Sequence, residues 1–113
     1  MKYGVKTYRD LTKATSSTGL QAHHIMPKKF MNNFGYAAND MFCIALKSTD
    51  HAKITSKMNK TMYGLTGPAE TYSKSEIIDK VSRVYDDLYE ETGDELYEFM
   101  YKFIVENDQY GIG

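Results

Sequence analysis

The three histidines of this 113-residue chain all fall between His23 and His51, and two of them, His23 and His24, are adjacent. Imidazole is the commonest metal ligand in proteins and the usual general base near neutral pH. Successive side chains on a strand point to opposite sides, so one of the adjacent pair can bind a metal ion while the other accepts a proton. His51 would complete a pair of ligands. The cluster therefore predicts a site that binds a metal ion and moves a proton.

A pair of imidazole ligands suits the hydrolysis of a phosphodiester. It leaves positions on the ion open for water and a phosphate oxygen, as a catalytic site requires. The reaction needs an activated water, positive charge for the phosphate and help for the leaving oxygen, which a metal ion and a separate base supply together. The second ring nitrogen of the base needs a partner, and we expect Asn39 or a backbone carbonyl to serve. One divalent ion is expected, with Zn, Mg, Mn and Ni all open.

The net charge of −1 conceals a strong asymmetry along the chain. Residues 1–64 carry ten Lys and Arg against three acidic residues, a net of +7, whereas residues 65–113 carry four against twelve, a net of −8. The histidines lie in the basic half, to which phosphate contacts would draw a polyanion such as nucleic acid. The lysines expected to make those contacts follow the histidines in sequence: Lys28, Lys29, Lys53, Lys57 and Lys60.

Two short apolar segments predict a pair of strands. Residues 21–25 form the first, which Pro27 ends, and the run at 41–46 has the length and composition of the second. Between them, residues 28–34 are expected to make two helical turns that Gly35 closes. The adjacent histidines would therefore lie near the end of the first strand.

A helix is predicted to begin directly after the second strand. Ser48 or Thr49 is expected as its N-cap, and Asp50 suits the positive end of the helix dipole. His51 falls in the first turn, so its ring can point back toward the strands. Helix-breaking residues then end this unit: Gly64, Gly67 and Pro68.

The C-terminal part is predicted to form two helices. Ser73 and Glu76 make a capping box, and Gly93 stops the first helix. Its apolar residues recur at the helical spacing: Ile77, Ile78, Val81, Val84, Tyr85 and Leu88. Asp94 caps the second helix. The residues expected on its buried side are Leu96, Phe99, Met100, Phe103 and Ile104. We interpret both stripes as core and the acidic residues beside them as a solvated face.

Composition is that of an ordinary globular protein. The chain is 42% hydrophobic and 26% charged, and its length suits one domain with one core. No apolar run approaches membrane-spanning length, and residues 1–20 lack an apolar signal core, so we expect no membrane segment. The lone Cys43 excludes an intrachain disulfide and a cysteine-based zinc cluster, and its apolar neighbours predict a core residue. We predict a single α+β domain over residues 1–113.

Residues 19–30 (Gly-Leu-Gln-Ala-His-His-Ile-Met-Pro-Lys-Lys-Phe) resemble the HNH/endonuclease VII superfamily of nuclease toxin domains that carry an Ala-His-His signature. Such domains stand at the C-terminal ends of bacterial polymorphic and contact-dependent toxins. The likeness continues through residues 44–46, 50–51, 63–64 and 72–78, so that it covers about two thirds of the chain. The His-His segment is its most specific part.

The resemblance implies a ββα-metal (HNH, treble-clef-like) core over about residues 19–64, with additional C-terminal helices over about residues 72–107. It also implies roles for the histidines. His23 would bind the metal ion, His24 would be the base, and His51 would be the ligand borne by the helix.

Two positions depart from the HNH pattern. Many members carry another His or Asn one turn after the helix ligand, where this chain has Thr55. The Asn of the pattern corresponds best to Asn39, although its spacing to His51 differs. The third ligand therefore stays open.

Four functions are consistent with these features. The first is a metal-dependent endonuclease that cleaves DNA with little sequence preference. It would be the toxic C-terminal domain of a larger secreted protein, act in the cytoplasm of a target bacterium, and be inhibited by a cognate immunity protein. The second is a metal-dependent ribonuclease, because phosphate contacts carry no base information. The third is a non-catalytic nucleic-acid-binding module with a closed metal shell. The fourth is a helical interaction domain whose histidines are incidental.

Overall fold

Three short strands and five α-helices make up the parts of the chain that the computed structural model describes, residues 4–15, 18–61 and 69–106. The strands are β1 (Lys6–Thr7), β2 (Gln21–His24) and β3 (Phe42–Leu46). The helices are α1 (Tyr8–Thr15), α2 (Met31–Phe34), α3 (Ser48–Thr61), α4 (Lys74–Thr92) and α5 (Glu95–Glu106). Short 3₁₀ segments occur at Lys28–Phe30, Ala38–Asp40 and Ala69–Thr71. The architecture is mixed α+β, as the sequence predicts.

The strands form one antiparallel sheet in the order β1–β3–β2. The register of β2 against β3 places His23 opposite Ile44 and His24 opposite Cys43. Both partners on β3 are buried, which confirms the core position expected of Cys43. The strands predicted at 21–25 and 41–46 are therefore present to within one residue at their ends. The two-residue β1 was not predicted, since so short a strand leaves no alternating pattern.

Helix α2 follows a 3₁₀ turn, so the two helical turns predicted over residues 28–34 are of different kinds. Gly35 closes them with a φ of 73°, in the left-handed region that side chains disfavour. Helix α3 begins at Ser48, directly after the strand. The Lys47 carbonyl accepts the His51 N–H at 3.0 Å, so the predicted N-cap at Ser48 or Thr49 was wrong by one or two residues.

Helix α4 begins with the predicted capping box. The Ser73 hydroxyl accepts the Glu76 N–H at 3.2 Å, and the Glu76 carboxylate accepts the Ser73 N–H at 3.1 Å. Gly93 ends the helix with a φ of 70°. Every residue of the predicted apolar stripe is buried, from Ile77 to Leu88.

Helix α5 is capped by Asp94, whose carboxylate accepts the Leu96 N–H at 2.9 Å. Three residues expected on its buried side are buried: Met100, Phe103 and Ile104. Leu96 and Phe99 are only partly buried, and Tyr97 is buried in their place. The Tyr97 hydroxyl reaches the Asp50 carboxylate on α3 at 3.4 Å, a polar contact that an apolar pattern does not predict.

The core lies between the sheet and the C-terminal helices. Helix α4 packs against both α3 and α5, and its buried face includes Tyr85, which reaches β2. The sheet and α3 are thereby held against one long helix. Within the described ranges no helix is both long and apolar enough to span a bilayer. The predicted breakers at Gly64, Gly67 and Pro68, and the matched pair at 63–64, lie outside the described residues.

Candidate active site

A cavity of about 290 Å³ lies between the end of β2 and the first turns of α3. All three histidines contribute to its wall. Its polar lining residues are His23, His24, Lys29, His51, Thr55 and Asn59. Two elements distant in sequence therefore bring together the residue types that the sequence singled out.

His23 and His51 are in edge contact. Their ring centroids are 5.3 Å apart and the ring planes are inclined at 78°. His23 is 8% exposed, whereas His51 is partly exposed at the cavity. A metal ion about 2.1 Å from an imidazole nitrogen is about 3.2 Å from the ring centroid, so two such rings at a tetrahedral angle have centroids about 5 Å apart. The observed separation of 5.3 Å is compatible with two imidazoles sharing an ion, and it is also ordinary for an edge-to-face ring contact.

The other side of His23 faces helix α4. Its Nε2 lies 2.9 Å from the Tyr85 hydroxyl oxygen, and the same hydroxyl donates to the Ile25 carbonyl at 2.5 Å. Burial, and to a smaller extent charge repulsion from the nearby His51 and His24, together lower the pKa of His23 from 6.5 to about 3. The ring is therefore neutral at physiological pH, as a metal ligand must be.

His24 is held separately from His23. Its Nε2 lies 3.1 Å from the Ala38 carbonyl oxygen, and its ring stacks on Tyr8 of α1 with centroids 4.7 Å apart and planes inclined at 22°. Burial lowers the pKa of His24, the hydrogen bond to Ala38 opposes that change, and the charge of Lys28 lowers the pKa again. His24 is therefore unprotonated at neutral pH and fixed in orientation on two sides.

The partner of His24 is a backbone carbonyl, one of the two kinds of partner the sequence suggested. Asn39 follows Ala38 in the same 3₁₀ turn, but its side chain is exposed. An ion pair of 3.2 Å between Arg9 and Asp40 joins this turn to α1. The turn thus positions the ring of His24 through main-chain rather than side-chain atoms.

The five lysines proposed for nucleic acid do not share one face. At about 100° per residue, Lys53, Lys57 and Lys60 stand about 120° to 180° around α3 from His51, on the side away from the cavity. Lys57 is also paired with Glu91 of α4, which raises the pKa of the lysine. Lys29 lines the cavity and Lys28 lies close enough to affect His24. Proximity in sequence to His51 was a poor guide to the cavity surface.

The cavity contains few conventional ligands besides the histidines. Among the described residues no group of three or more His, Cys, Asp or Glu side chains could hold a metal ion. Thr55 stands one turn after His51 and lines the cavity, and its hydroxyl donates to the His51 carbonyl at 3.0 Å. Cys43 is buried, and burial raises the pKa of its thiol to about 12, so the free thiol is protonated and unreactive at neutral pH.

Three contributions to the site were not predicted. Tyr85 was interpreted as core, and the apolar stripe that contains it carries no sign of a polar role for its hydroxyl. Tyr8 contributes by stacking on His24 from α1, a contact that no motif around it in the sequence indicates. Asn59 could have been found, because it lies two helical turns after His51, on the same side of α3.

No protein-family model, curated protein or solved structure matches this chain.

Proposed function

We propose that the chain is a metal-dependent endonuclease whose ββα-metal core consists of β2, β3 and α3. The observation that supports the proposal is that the three histidines of one cavity have different contacts. His23 and His51 meet with their ring planes nearly perpendicular, whereas His24 contacts the Ala38 carbonyl and the Tyr8 ring. We infer that the first pair of imidazoles shares an ion and that the third imidazole accepts a proton.

The residues present fit one divalent ion. His23 and His51 would hold it, and the remaining positions would be taken by water and phosphate oxygens, since the described residues supply no third ligand of the usual types. When bound, the ion would supply positive charge for the phosphate and for the leaving oxygen. The two imidazoles favour Zn and Ni, whereas the open positions for water and phosphate oxygens suit Mg and Mn, so all four ions stay candidates.

His24 is assigned as the general base. A carbonyl oxygen can only accept, so the contact with Ala38 requires the proton of His24 to be on Nε2. That leaves the lone pair of Nδ1 to take a proton from the attacking water. Stacking on Tyr8 and the hydrogen bond to Ala38 fix the ring plane, which reduces the entropy that the ring would lose on reaching a reactive orientation. The lowered pKa keeps this nitrogen unprotonated at neutral pH.

Nucleic acid is the substrate class that suits the surroundings of the cavity. Lys29 on its wall and Lys28 beside it provide positive charge for phosphates. We favour DNA, on the strength of the likeness to Ala-His-His nucleases, with RNA as the alternative. A non-catalytic module would need a closed metal shell, which the described residues do not supply. Asn39, carried over from the HNH pattern, remains a candidate for contact with substrate from its exposed position.

The assignment is tested by incubating the purified protein with plasmid DNA and, separately, with total RNA. Each reaction is run with EDTA alone and with Mg, Mn, Ni or Zn added in turn. We expect a divalent ion to be required and DNA to be cut at many positions. Cleavage of RNA alone would move the assignment to the ribonuclease. Absence of cleavage of either substrate under every metal condition would contradict a nuclease.

We further propose that this nuclease is the toxic domain of a larger secreted bacterial toxin, acts in the cytoplasm of the target cell and is neutralised by a cognate immunity protein. The proposal follows from the likeness of residues 19–30 and from the damage that an unselective nuclease would do to its producer. The basic half gives an acidic inhibitor an electrostatic target. Expression of the chain alone should be toxic to bacteria, His24→Ala should relieve the toxicity, and the neighbouring open reading frame should rescue the wild type. Harmless high-level expression of the unmutated chain would contradict the toxin assignment.

A further inference from the structure

The hydroxyl of Tyr85 has a single proton, and two of its neighbours, the Ile25 carbonyl and His23 Nε2, determine where that proton points. The hydroxyl donates to the Ile25 carbonyl at 2.5 Å, and that carbonyl can only accept. The contact of 2.9 Å between the Tyr85 oxygen and His23 Nε2 therefore needs its proton from the imidazole. A neutral imidazole carries one proton, so Nδ1 of His23 is left with a free lone pair.

The arrangement is enclosed. Tyr85 and Ile25 are fully buried and His23 is 8% exposed, so water competes poorly for these hydrogen bonds. In the other tautomer, Tyr85 would have to turn its proton toward His23 Nε2 and leave the buried Ile25 carbonyl without it. An unsatisfied buried carbonyl is unfavourable, so the surroundings select one tautomer.

The three groups also join distant parts of the fold. Ile25 lies directly after β2, two residues beyond His23, and Tyr85 is in the middle of α4, a helix that a capping box and Gly93 delimit. The phenol is therefore held by the packing of the core rather than by the cavity. It can fix the ring of His23 whether or not the cavity is filled.

We propose that Tyr85 is a positioning residue that holds His23 as the Nε2–H tautomer and so makes Nδ1 the metal-binding nitrogen. A hydrogen bond from the second nitrogen of a metal-binding histidine commonly sets both the tautomer and the orientation of the ring. Here the acceptor is a phenol oxygen on α4, outside the ββα unit. The ligand half of this inference rests on the proposed function, whereas the tautomer half concerns the metal-free protein and does not.

The tautomer is read from the ¹⁵N chemical shifts of the His23 ring in metal-free wild-type protein at pH 7.5. We expect a protonated Nε2 and an unprotonated Nδ1. In Tyr85→Phe the ring should become a mixture of tautomers, and the affinity for added Mn or Zn should fall by about tenfold or more. Tyr89→Phe is the matched control, because Tyr89 lies one turn further along α4 and its hydroxyl faces Glu98. It should change neither readout.

A wild-type His23 ring protonated on Nδ1 would overturn the inference. This measurement uses wild-type protein alone, so it does not depend on whether a variant folds. An unchanged tautomer and an unchanged affinity in folded Tyr85→Phe would overturn it as well. If wild-type protein with the Nε2–H tautomer bound no divalent ion, the ligand half and the proposed function would both fail, and the tautomer assignment would stand.

Discussion

His23 on β2 and His51 on α3 meet with ring centroids 5.3 Å apart and planes close to perpendicular. One ring is buried and neutral, and the other opens onto the cavity. This relationship distinguishes the two adjacent histidines, because His24 instead stacks on Tyr8 of α1 and contacts the Ala38 carbonyl in the 3₁₀ turn. It is the basis of the metal site proposed above.

The pair predicts that His23→Ala and His51→Ala each weaken the binding of a divalent ion by about tenfold or more, since a two-imidazole site has no spare imidazole. Affinity is measured by calorimetric titration of purified protein from which metal has been removed. Gln21→Ala is the control, because Gln21 is exposed on the same strand as His23. Thermal unfolding establishes that each variant is folded. Unchanged affinity in both histidine variants would eliminate this site.

Burial of His23 predicts a pH dependence of stability in the metal-free protein. The pKa of His23 is 6.5 unfolded and about 3 folded, so between these values the unfolded chain binds a proton that the folded chain does not. The free energy of unfolding should therefore fall as the pH is lowered from 6.5, with a slope from this group approaching about 1.4 kcal/mol per pH unit. The stability contributed by the neutral ring is fully present above pH 6.5.

The measurement is urea unfolding of the wild type and of His23→Gln between pH 7.5 and 5. Gln keeps a donor for Tyr85 but does not titrate in this range, so the variant should show a shallower dependence on pH. Asn39→Ala, an exposed and uncharged site, should keep the wild-type slope. If the free energy of unfolding had the same slope against pH in the wild type and in His23→Gln, the pKa of His23 would be the same in the folded and the unfolded chain.

The division of lysines between two faces predicts unequal effects on nucleic-acid binding. Charge reversal at Lys28 and Lys29 should weaken nucleic-acid binding strongly, because these lysines lie at or beside the cavity. The slope of log affinity against log salt concentration should fall by about two, since about two fewer counterions are released on binding. The same reversal at Lys53 and Lys60 changes the net charge equally but acts on the far side of α3. Binding is measured by fluorescence anisotropy at several salt concentrations, in a His24→Ala background that prevents cleavage. Equal losses of affinity in the two double variants would indicate that the nucleic acid also contacts the far side of α3.

Local patterns predicted the framework of the site well. The capping box at Ser73 and Glu76 fixed the start of α4, and the apolar run before Ser48 predicted β3. From these, the position of His51 in the first turn of α3 could be inferred. Each of these features depends on residues close together in the sequence.

Contacts between distant segments could not be predicted in the same way. Tyr85 reaches His23 across 62 positions, and its place in an apolar stripe indicates burial without indicating a hydrogen-bond partner. The partner of His24 is the main-chain carbonyl of Ala38, which no residue type marks. Nearness to His51 along the chain does not place the lysines of α3 at the cavity, because neighbouring residues of a helix point to different sides.

The most direct test of the account is the rate of plasmid cleavage by His24→Ala together with its affinity for the divalent ion that supports wild-type cleavage. Because His24 is assigned to the proton and the other two histidines to the ion, we expect His24→Ala to bind the ion as tightly as the wild type and to lose cleavage by a factor of about 10² to 10⁴. Cleavage by His24→Ala at the wild-type rate would contradict the assignment of the base. Loss of cleavage in His23→Ala with metal still bound, and activity retained in His24→Ala, would show that the two adjacent histidines have the opposite roles.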